Sequence, residues 1–572
     1  MPNEFHVAPG GDDTGPGSHD QPFATPERAQ RAARDPTRPA VVTLAPGTYP
    51  LTEPLVVTEA DSGLSFRAED GPAVLSGGRE VTGWRELDGV WEAEVGDLDC
   101  RELYVDGRRA ERATIDALPG DARRTERGYV TDSAAPLSWH DPSSVEFVHR
   151  GVYPWTEARS RVASVTREGD TTTITMEQPE FDRAKELYNF AWDGYQGSGL
   201  DLPTRIENDP AFLTEPGTFA LDRSHSGQHL LHYRPHPGED PRRTRVVAPS
   251  LDTLVRISGA SAITLTGLVL AEATWPRQRS FLHYHGTGYY DGEGDIETAV
   301  IEEDVAWVTY PSRARDVPAC VTVDDSEDVR FEDCHFTRIG ATALGVTGGA
   351  GLLVRGCDFD TLSASAIRIT GGRAPVVEDN RVTRIGRDYP GSPALGVTGT
   401  TDAVIAHNDV DDVPHCGIVA GPARGTRITH NHVTRSMGVL ADGGGVYLSG
   451  PQGDSWDTGA VIEGNVITDT RTPYNFGLYT DYGAAWVTLR DNVVLRADNT
   501  AVLHVSPPLD HVSYRGNLWD ADPVGSDAVP EGVTFADNTT VDDDQEPPRR
   551  FAEITAAAGP RHPRGLAETT PI

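Results

Sequence analysis

Residues 329–336 read VRFEDCHF and residues 352–359 read LLVRGCDF. The phrase is a short alternating run, then Cys or Asn, then a second alternating run. It returns as PVVEDNRV (375–382), AVIAHNDV (403–410), TRITHNHV (426–433), AVIEGNVI (460–467), VTLRDNVV (487–494), VSYRGNLW (512–519) and VTFADNTT (533–540). The recurring residues are Cys334, Cys357, Asn380, Asn408, Asn431, Asn465, Asn492, Asn517 and Asn538, spaced by 23, 23, 28, 23, 34, 27, 25 and 21 residues. A period near 23, filled by two or three short strands with no helical pattern, describes one coil of a parallel β-helix. Each coil adds a rung about 4.8 Å along the axis. Apolar residues then stack on their equivalents one coil up, as Ile367 and Ile369 of AIRITG are expected to do. The Cys/Asn column suits an internal ladder at a turn, where each amide bonds its equivalents above and below and Asn tolerates positive φ. Cys334 and Cys357 fill ladder positions and need no redox role.

The expected fold class is all-β: a right-handed parallel β-helix solenoid with an inserted β-rich, sandwich-like domain. Residues 1–79 hold an N-terminal cap and the first coils, RPAVVTLAPGTYPLTEPLVV (38–57) and LSFRAEDGPAVLSGG (64–78). Within them TPERAQRAARD (25–35) reads as a short capping helix, with Thr25 at the N-cap and Pro26 at its first position. Residues 80–250 lose the period and form the insert. Residues 251–545 resume it, with an aromatic and acidic excursion at 276–317. Residues 546–572 form a tail whose one helical stretch, RRFAEITAAAG (549–559), is expected to cap the last coil, because an open edge invites aggregation.

Composition fits this picture. A chain of 572 residues exceeds one compact core unless it grows in one direction, and 59 glycines with 42 prolines favour many turns. The net charge of -37 disfavours nucleic acid and anionic membranes as partners. No run of 18 apolar residues exists, so no membrane span is expected. Only Lys185 is a lysine, which removes repeated lysine chemistry. Five cysteines (100, 320, 334, 357, 416) with no CxxC indicate buried, reduced thiols, with neither a disulfide framework nor a metal site. The first residues, MPNEFHVAPGG, lack a basic segment followed by an apolar one; the expected location is cytoplasmic, or secreted if a leader has been removed. No cofactor is expected, and the oligomeric state is left open.

The long gaps of the ladder are where loops leave the solenoid, commonly on a binding face. There GIVAG (417–421), GVYLSG (445–450) and GLYTDYG (477–483) align as one strand in three successive coils. In that register Val446 and Leu478 point inward, and Tyr447, Tyr479 and Asp481 point outward. Asp442, three residues before Gly445, lies one coil below Asp481. Two carboxylates with tyrosines between them suit glycoside hydrolysis, in which one carboxyl protonates the leaving oxygen and the other attacks the sugar or activates water. Asp442 and Asp481 are offset by seven strand positions, so the glycine run has to fold Asp442 back. The rival carboxylates are Glu463 and Asp469, with Asp454 and Asp457 in the intervening loop; aspartates beside glycine also commonly serve only to shape turns. His415 precedes the equivalent strand one coil below. A neutral imidazole there suits a sugar hydroxyl, a carboxylate or a purely structural role. Tyr474 and Asn475 hold the matching position one coil above, extending a polar strip. Tyr447, Tyr479 and Tyr482 are further candidate sugar-binding residues.

These motifs together resemble the parallel β-helix glycoside hydrolases of family 141, and more distantly family 120. The likeness spans nearly the whole chain. It begins at FHVAPGGDDTGPGSHDQPFATPERAQRAAR (5–34) and continues through LSGGREVTGW (75–84) and LYVDGRRAERA (103–113). EPGTFALD (215–222) and LLHYRPHPGED (230–240) are similar to that family's β-sandwich insert, and PHCGIV, ADGGGVYLSG and GLYTDYGA to its active-site stretches. By this likeness Asp442 and Asp481 match the two family carboxylates and His415 a binding-site histidine. Tyr482 stands where the family more often carries a second acid. The resemblance implies hydrolysis of a glycosidic bond in a plant- or algal-type oligosaccharide or polysaccharide, with fucosidase- and xylan-directed activities among the members. A small, imported oligosaccharide and exo-action would suit a chain without a leader. Aromatic residues outside the ladder (Trp275, Trp307, Tyr289, Tyr290) are candidates to wall the site. Two other readings compete. A polysaccharide lyase would need a basic residue, for which Arg435 and Arg471 are the nearby candidates. A non-catalytic carbohydrate-binding solenoid would need neither carboxylate.

Overall fold

The computed structural model describes residues 3–34, 39–192, 195–275, 282–284, 288–303, 305–524, 528–541 and 549–561. The chain separates into two compact units. One comprises the residues up to Gly78, Leu251–Ala273 and the chain from Pro318 onward; the other comprises Arg79–Ser250 and Thr274–Val317. The sequence places residues 251–545 in the solenoid, with residues 276–317 as an excursion from it. In the structure, Thr274–Val317 instead cluster with the second unit, to which they add the antiparallel strands Ile296–Glu302 and Ala306–Pro311.

The first unit is a parallel β-helix. Its strands fall into a 22-stranded and a 12-stranded parallel sheet, in which each strand pairs with its equivalent about one period away. One inward column shows why the pattern folds this way: Val42, Phe66, Leu265, Phe331, Val354, Val377, Ile405, Ile428, Ile462, Leu489 and Tyr514 stack rung upon rung. All are buried, as are Ile367 and Ile369. No single coil can bury an apolar face alone; stacking buries all of them in one continuous core.

The asparagine column is a ladder. The Nδ2 of Asn380 donates to Asn408 Oδ1, that of Asn408 to Asn431, and so on through Asn465, Asn492, Asn517 and Asn538, each at 2.9 Å. The same Oδ1 atoms accept the backbone N–H of the preceding rung at 2.9–3.1 Å. Cys357 continues the column, its N–H donating to Asn380 Oδ1. The left-handed backbone falls one residue before the expected place. It is on Asp379, His407, His430, Gly464, Asp491, Gly516 and Asp537 (φ between 55° and 66°), not on the asparagines. The amide is thereby turned inward while its neighbour takes the corner. Asn431→Ala removes the acceptor of the buried Asn408 N–H; the Asn408 amide keeps the Val377 carbonyl. Since an orphaned buried group costs about 1–3 kcal/mol, the expected loss is of that size, read as a lower urea midpoint.

The N-terminal helix spans Pro26–Ala33, with Thr25 Oγ1 accepting from the Arg28 N–H, and its buried Ala29 and Ala33 cover the first coil. The C-terminal helix, Arg549–Ala557, does not close the last coil as expected. Its Phe551, Ile554 and Ala558 pack against Val466, Val493 and Leu518 on the outer wall of three successive coils. Gly559 and Arg561 then reach back to His430, Glu378 and Asp379. An outward apolar stripe on the wall gives the helix more surface to bury than the small end of a coil.

The second unit carries two mostly antiparallel sheets of eight and nine strands and a four-stranded one. One core is built around Trp139, Phe147 and Phe181, and another around Trp91, Phe219 and Tyr233. Beside them Arg101 and Arg159 pair in the interior with Glu146 and Glu207 at 2.9 and 3.1 Å, so no charge of this group is buried without a counterion.

Candidate active site

Strand Gly444–Pro451 pairs in parallel with Ile418–Ala420 on one side and Phe476–Arg490 on the other. The register places Val419, Tyr447, Tyr479 and Val502 in one column, and Ser449 beside Asp481. Val446 and Leu478 fill the interior, so the tyrosines and Asp481 project from the outer face, as the alternation requires.

Asp442 is brought to Asp481 by three features of its own segment. Its backbone is left-handed (φ 54°), a conformation that aspartate tolerates. Its N–H donates to the Tyr474 carbonyl at 2.7 Å, tying it to the next coil. The glycines after it permit the close approach: a Cβ on Gly443 would lie 2.8 Å from Cys416 Sγ, His415 Nε2 and Met437 Cε, and one on Gly445 would lie 2.4 Å from Ile467 Cγ2. The glycine triplet is therefore a packing requirement of the strand as much as a turn.

The two carboxylates are joined through phenols. Tyr479 Oη donates to Asp442 Oδ1 at 2.8 Å, and Tyr447 Oη donates to Asp481 Oδ2 at 3.0 Å. The Tyr482 N–H donates to Asp481 Oδ1 at 2.7 Å. Tyr479 also stands close enough to Asp481 to stabilise its ionised form. The rings of Tyr447 and Tyr479 meet edge to face at 5.1 Å, and Phe476 packs on Tyr479 at 4.4 Å. Cys416, Val419 and Met437 complete an apolar floor under the pair.

This floor sets the electrostatics. Burial, reinforced by the charge of Asp481 and opposed by the Tyr479 hydrogen bond, pushes the Asp442 carboxyl up to about 7. Burial also raises Asp481, but three donors (the Tyr482 N–H, Tyr447 and Tyr479) favour its ionised form. Both phenols are driven upward by burial and by the carboxylates beside them, so they stay protonated and act as donors. Both carboxyls are raised, Asp442 to about 7, while Asp481 accepts from more donors; a carboxyl protonated near neutral pH beside one better supplied with donors suits acid-assisted displacement at a sugar carbon.

The other candidate residues divide. Tyr474, two residues before the strand that carries Asp481, and Tyr482, next to Asp481 within it, are 44% and 58% exposed. His415 has no exposed surface. Its Nε2 lies 3.1 Å from the Ala441 carbonyl, and burial lowers its pKa to about 4, so it is neutral and braces the backbone at Asp442 instead of facing a sugar. Asn475 is likewise fully buried. Its amide donates to the Thr472 carbonyl and its Oδ1 accepts from the Asp498 N–H at 3.2 Å, which makes it a corner of the solenoid and not a sugar contact. Glu463 and Asp469 are not at the pair: Glu463 is bound by Arg490 at 2.9 Å and Asp469 by Arg496 at 2.6 and 2.8 Å along the outer wall. Asp454 is held by Arg424 at 2.8 Å, and Asp457 lies in the same loop, outside the pair. Trp275, Trp307, Tyr289 and Tyr290 all belong to the second unit, where Trp275 packs on Tyr289 at 4.8 Å and Tyr290 is buried in a core. Met437 and Phe476 were not legible as site residues. Phe476 has the strand parity of the inward Leu478, so alternation places it inside, and Met437 comes from a loop with no period. Among the described residues no group of three or more His, Cys, Asp or Glu is placed to hold a metal ion, and no helix is long and apolar enough to cross a membrane.

The family model for the right-handed β-helix region matches residues 311–454. Solved structures that resemble the chain include the following two. One, described as a glycoside hydrolase, superposes with a TM-score of 0.73 at 22% identity over 97% of this chain and 98% of that one. The other, XylC in complex with xylose, superposes with a TM-score of 0.52 at 12% identity over 90% of this chain and 75% of that one. No curated protein sequence matches the chain. The class is thus a right-handed parallel β-helix protein with an additional β-rich unit, structurally close to a glycoside hydrolase along nearly its full length.

Proposed function

We propose that the protein is a glycoside hydrolase acting on a plant- or algal-type oligosaccharide or polysaccharide, with Asp481 as nucleophile and Asp442 as general acid and base. The observation that carries this reading is the pair itself: a buried Asp442 and a half-buried Asp481 on adjacent coils, each bonded by a tyrosine phenol, the first with its carboxyl raised to about 7 and the other supplied with donors. Asp442 gives its proton to the glycosidic oxygen as an Asp481 oxygen bonds the anomeric carbon and the C–O bond breaks. Water then attacks that carbon, passing its proton to Asp442 and freeing Asp481.

We take the reaction to be a retaining one, in which the carboxyls stand about 5–5.5 Å apart; inversion would need roughly 6.5–9.5 Å to leave room for a water. The edge-to-face contact of Tyr447 and Tyr479, each of which donates to one of the two aspartates, supports a close pair. The resemblance to family 141 points to fucosides and xylosides as first substrates, and XylC was solved with xylose. A lyase is disfavoured by the state of the nearby bases: Arg435 is paired with Asp411 and Arg471 with Asp412.

The test is a screen of p-nitrophenyl fucosides and xylosides of both anomeric forms, followed by proton NMR. We expect release of p-nitrophenol from at least one of them, with the first sugar product retaining its anomeric configuration. An ultraviolet-absorbing unsaturated product from a polyuronate assayed in parallel would establish a lyase. Carbohydrate binding without any turnover would establish the non-catalytic solenoid.

A further inference from the structure

The catalytic strand ends at a corner that none of the chemistry above uses. After Asp481 the chain bulges through Tyr482 and Gly483, both left-handed, and re-enters register at Ala485, which pairs with Pro451 one coil below and Asp510 one coil above. Three aromatic rings occupy this corner in three successive coils. Trp456 lies in the loop that leaves at Pro451, Trp486 follows Ala485, and His511 follows Asp510. Trp486 and His511 stack at 3.8 Å with an interplanar angle of 19°, and Trp456 meets Trp486 edge on at 5.5 Å. Trp456 remains 48% exposed and His511 is also exposed, so the strip is a surface and not a core. Tyr482, exposed, lies between it and Asp481. Five residues span at most about 17 Å of chain, so Trp486 is within a few sugar units of Asp481. The acids of this corner fix the sign of what it accepts: Asp454, Asp457 and Asp510 are exposed, with Arg424 the one arginine paired to them in the described residues.

We infer that the corner built from Trp456, Trp486 and His511 binds a neutral oligosaccharide chain leading away from the catalytic pair. Exposed indole and imidazole faces bury the C–H faces of pyranose rings while sugar hydroxyls keep their water, and the acidic surround repels uronates and sulfated sugars. The inference rests on the hydrolase reading and deepens it: the substrate is neutral and extends over several sugar units. The packing of Trp486 against His511 would also stiffen the bulge, and the experiment separates that role from binding.

The experiment titrates xylohexaose, cellohexaose and an oligogalacturonate of equal length into Asp481→Asn protein, which binds without turnover, and into the same protein carrying Trp456→Ala or Trp456→Phe. The readouts are tryptophan fluorescence and calorimetry. At least one neutral hexasaccharide is expected to quench the fluorescence. Trp456→Ala should weaken its binding by about tenfold, the scale of one lost ring-stacking contact, and Trp456→Phe should recover most of the loss. A purely structural Trp456 would leave the affinity unmoved. Equal affinity in the Ala variant, preference for the oligogalacturonate, or no binding of either neutral chain would overturn the inference. Failure of the hydrolase reading shows separately, as absence of aryl glycoside turnover by the unmodified protein.

Discussion

Replacing Asp481 with asparagine lowers kcat/KM on the best aryl glycoside by on the order of 10⁴-fold or more, because an amide oxygen does not form the glycosyl ester on which the first step depends. The pocket itself is expected to survive: the Tyr447 phenol and the Tyr482 N–H donate to an amide oxygen as they do to the carboxylate. Azide added to Asp481→Asn should restore turnover and yield a glycosyl azide of inverted configuration, since it displaces the leaving group directly from the opposite face. Asp442→Asn should behave differently. General acid–base assistance is worth about 10²–10⁴-fold, and its loss falls mainly on substrates whose leaving group needs a proton. Dinitrophenyl glycosides should therefore lose much less in the first step than alkyl glycosides, and a burst of dinitrophenol should precede slow deglycosylation. Equal losses for both leaving groups, or full activity in either variant, would remove the assignment of roles. Carbohydrate binding that persists with no effect of either substitution on function would instead identify a binding solenoid.

The second large effect is on pH. Burial holds Asp442 near 7, so kcat/KM should fall about tenfold per pH unit above that value as the general acid loses its proton. The acid limb belongs to Asp481, whose burial lifts it above the ordinary aspartate range. Both limbs are properties of the interacting pair and not of isolated residues. The same shift makes a stability statement whose sign is opposite to that of a salt-bridged aspartate. The folded carboxyl holds its proton up to about 7, whereas the unfolded one releases it near 4. The folded protein therefore binds more protons between these values, and its stability falls as pH rises through that window. Asp442→Asn removes the burden, since Tyr479 still has an acceptor. The variant should melt above the unmodified protein at pH 8, by up to about 4 kcal/mol, with the difference closing below pH 4. A variant that melts lower at pH 8 would show that the carboxylate is satisfied in the fold and that the raised basic limb has another origin.

Much of this protein is legible along the chain because a solenoid is a local structure repeated. The period near 23 residues, the alternation within it and the Cys/Asn column each test a neighbour one coil away, and the phrase occurs nine times. The strands, the ladder, the inward Val446 and Leu478 and the outward Tyr447, Tyr479 and Asp481 follow from that repetition alone. The N-terminal helix was equally readable, since Thr25 and Pro26 are cap residues with local chemistry. The left-handed corner was placed one residue late because Asn tolerates positive φ, yet here its amide is needed inside and the preceding Asp, His or Gly takes the turn.

What tertiary structure alone decided lies where the period fails. The excursion at 274–317 is strand-forming like the rest, and only its contacts assign it to the second unit. The C-terminal helix has an apolar face, but which surface buries it depends on the outward Val466, Val493 and Leu518 of three separate coils. Seven strand positions separate Asp442 from the level of Asp481, and their meeting depends on a left-handed backbone, glycines with no room for a Cβ and one phenol that reaches between them. His415 and Asn475 looked like the edge of a polar strip and proved to be its buried braces. Spacing determines which residues share a face, because the rise per residue and per rung is fixed by the backbone. It does not determine which of them water reaches, because that depends on loops packed from elsewhere, and the ionisation of Asp442 and Asp481 depends on that burial.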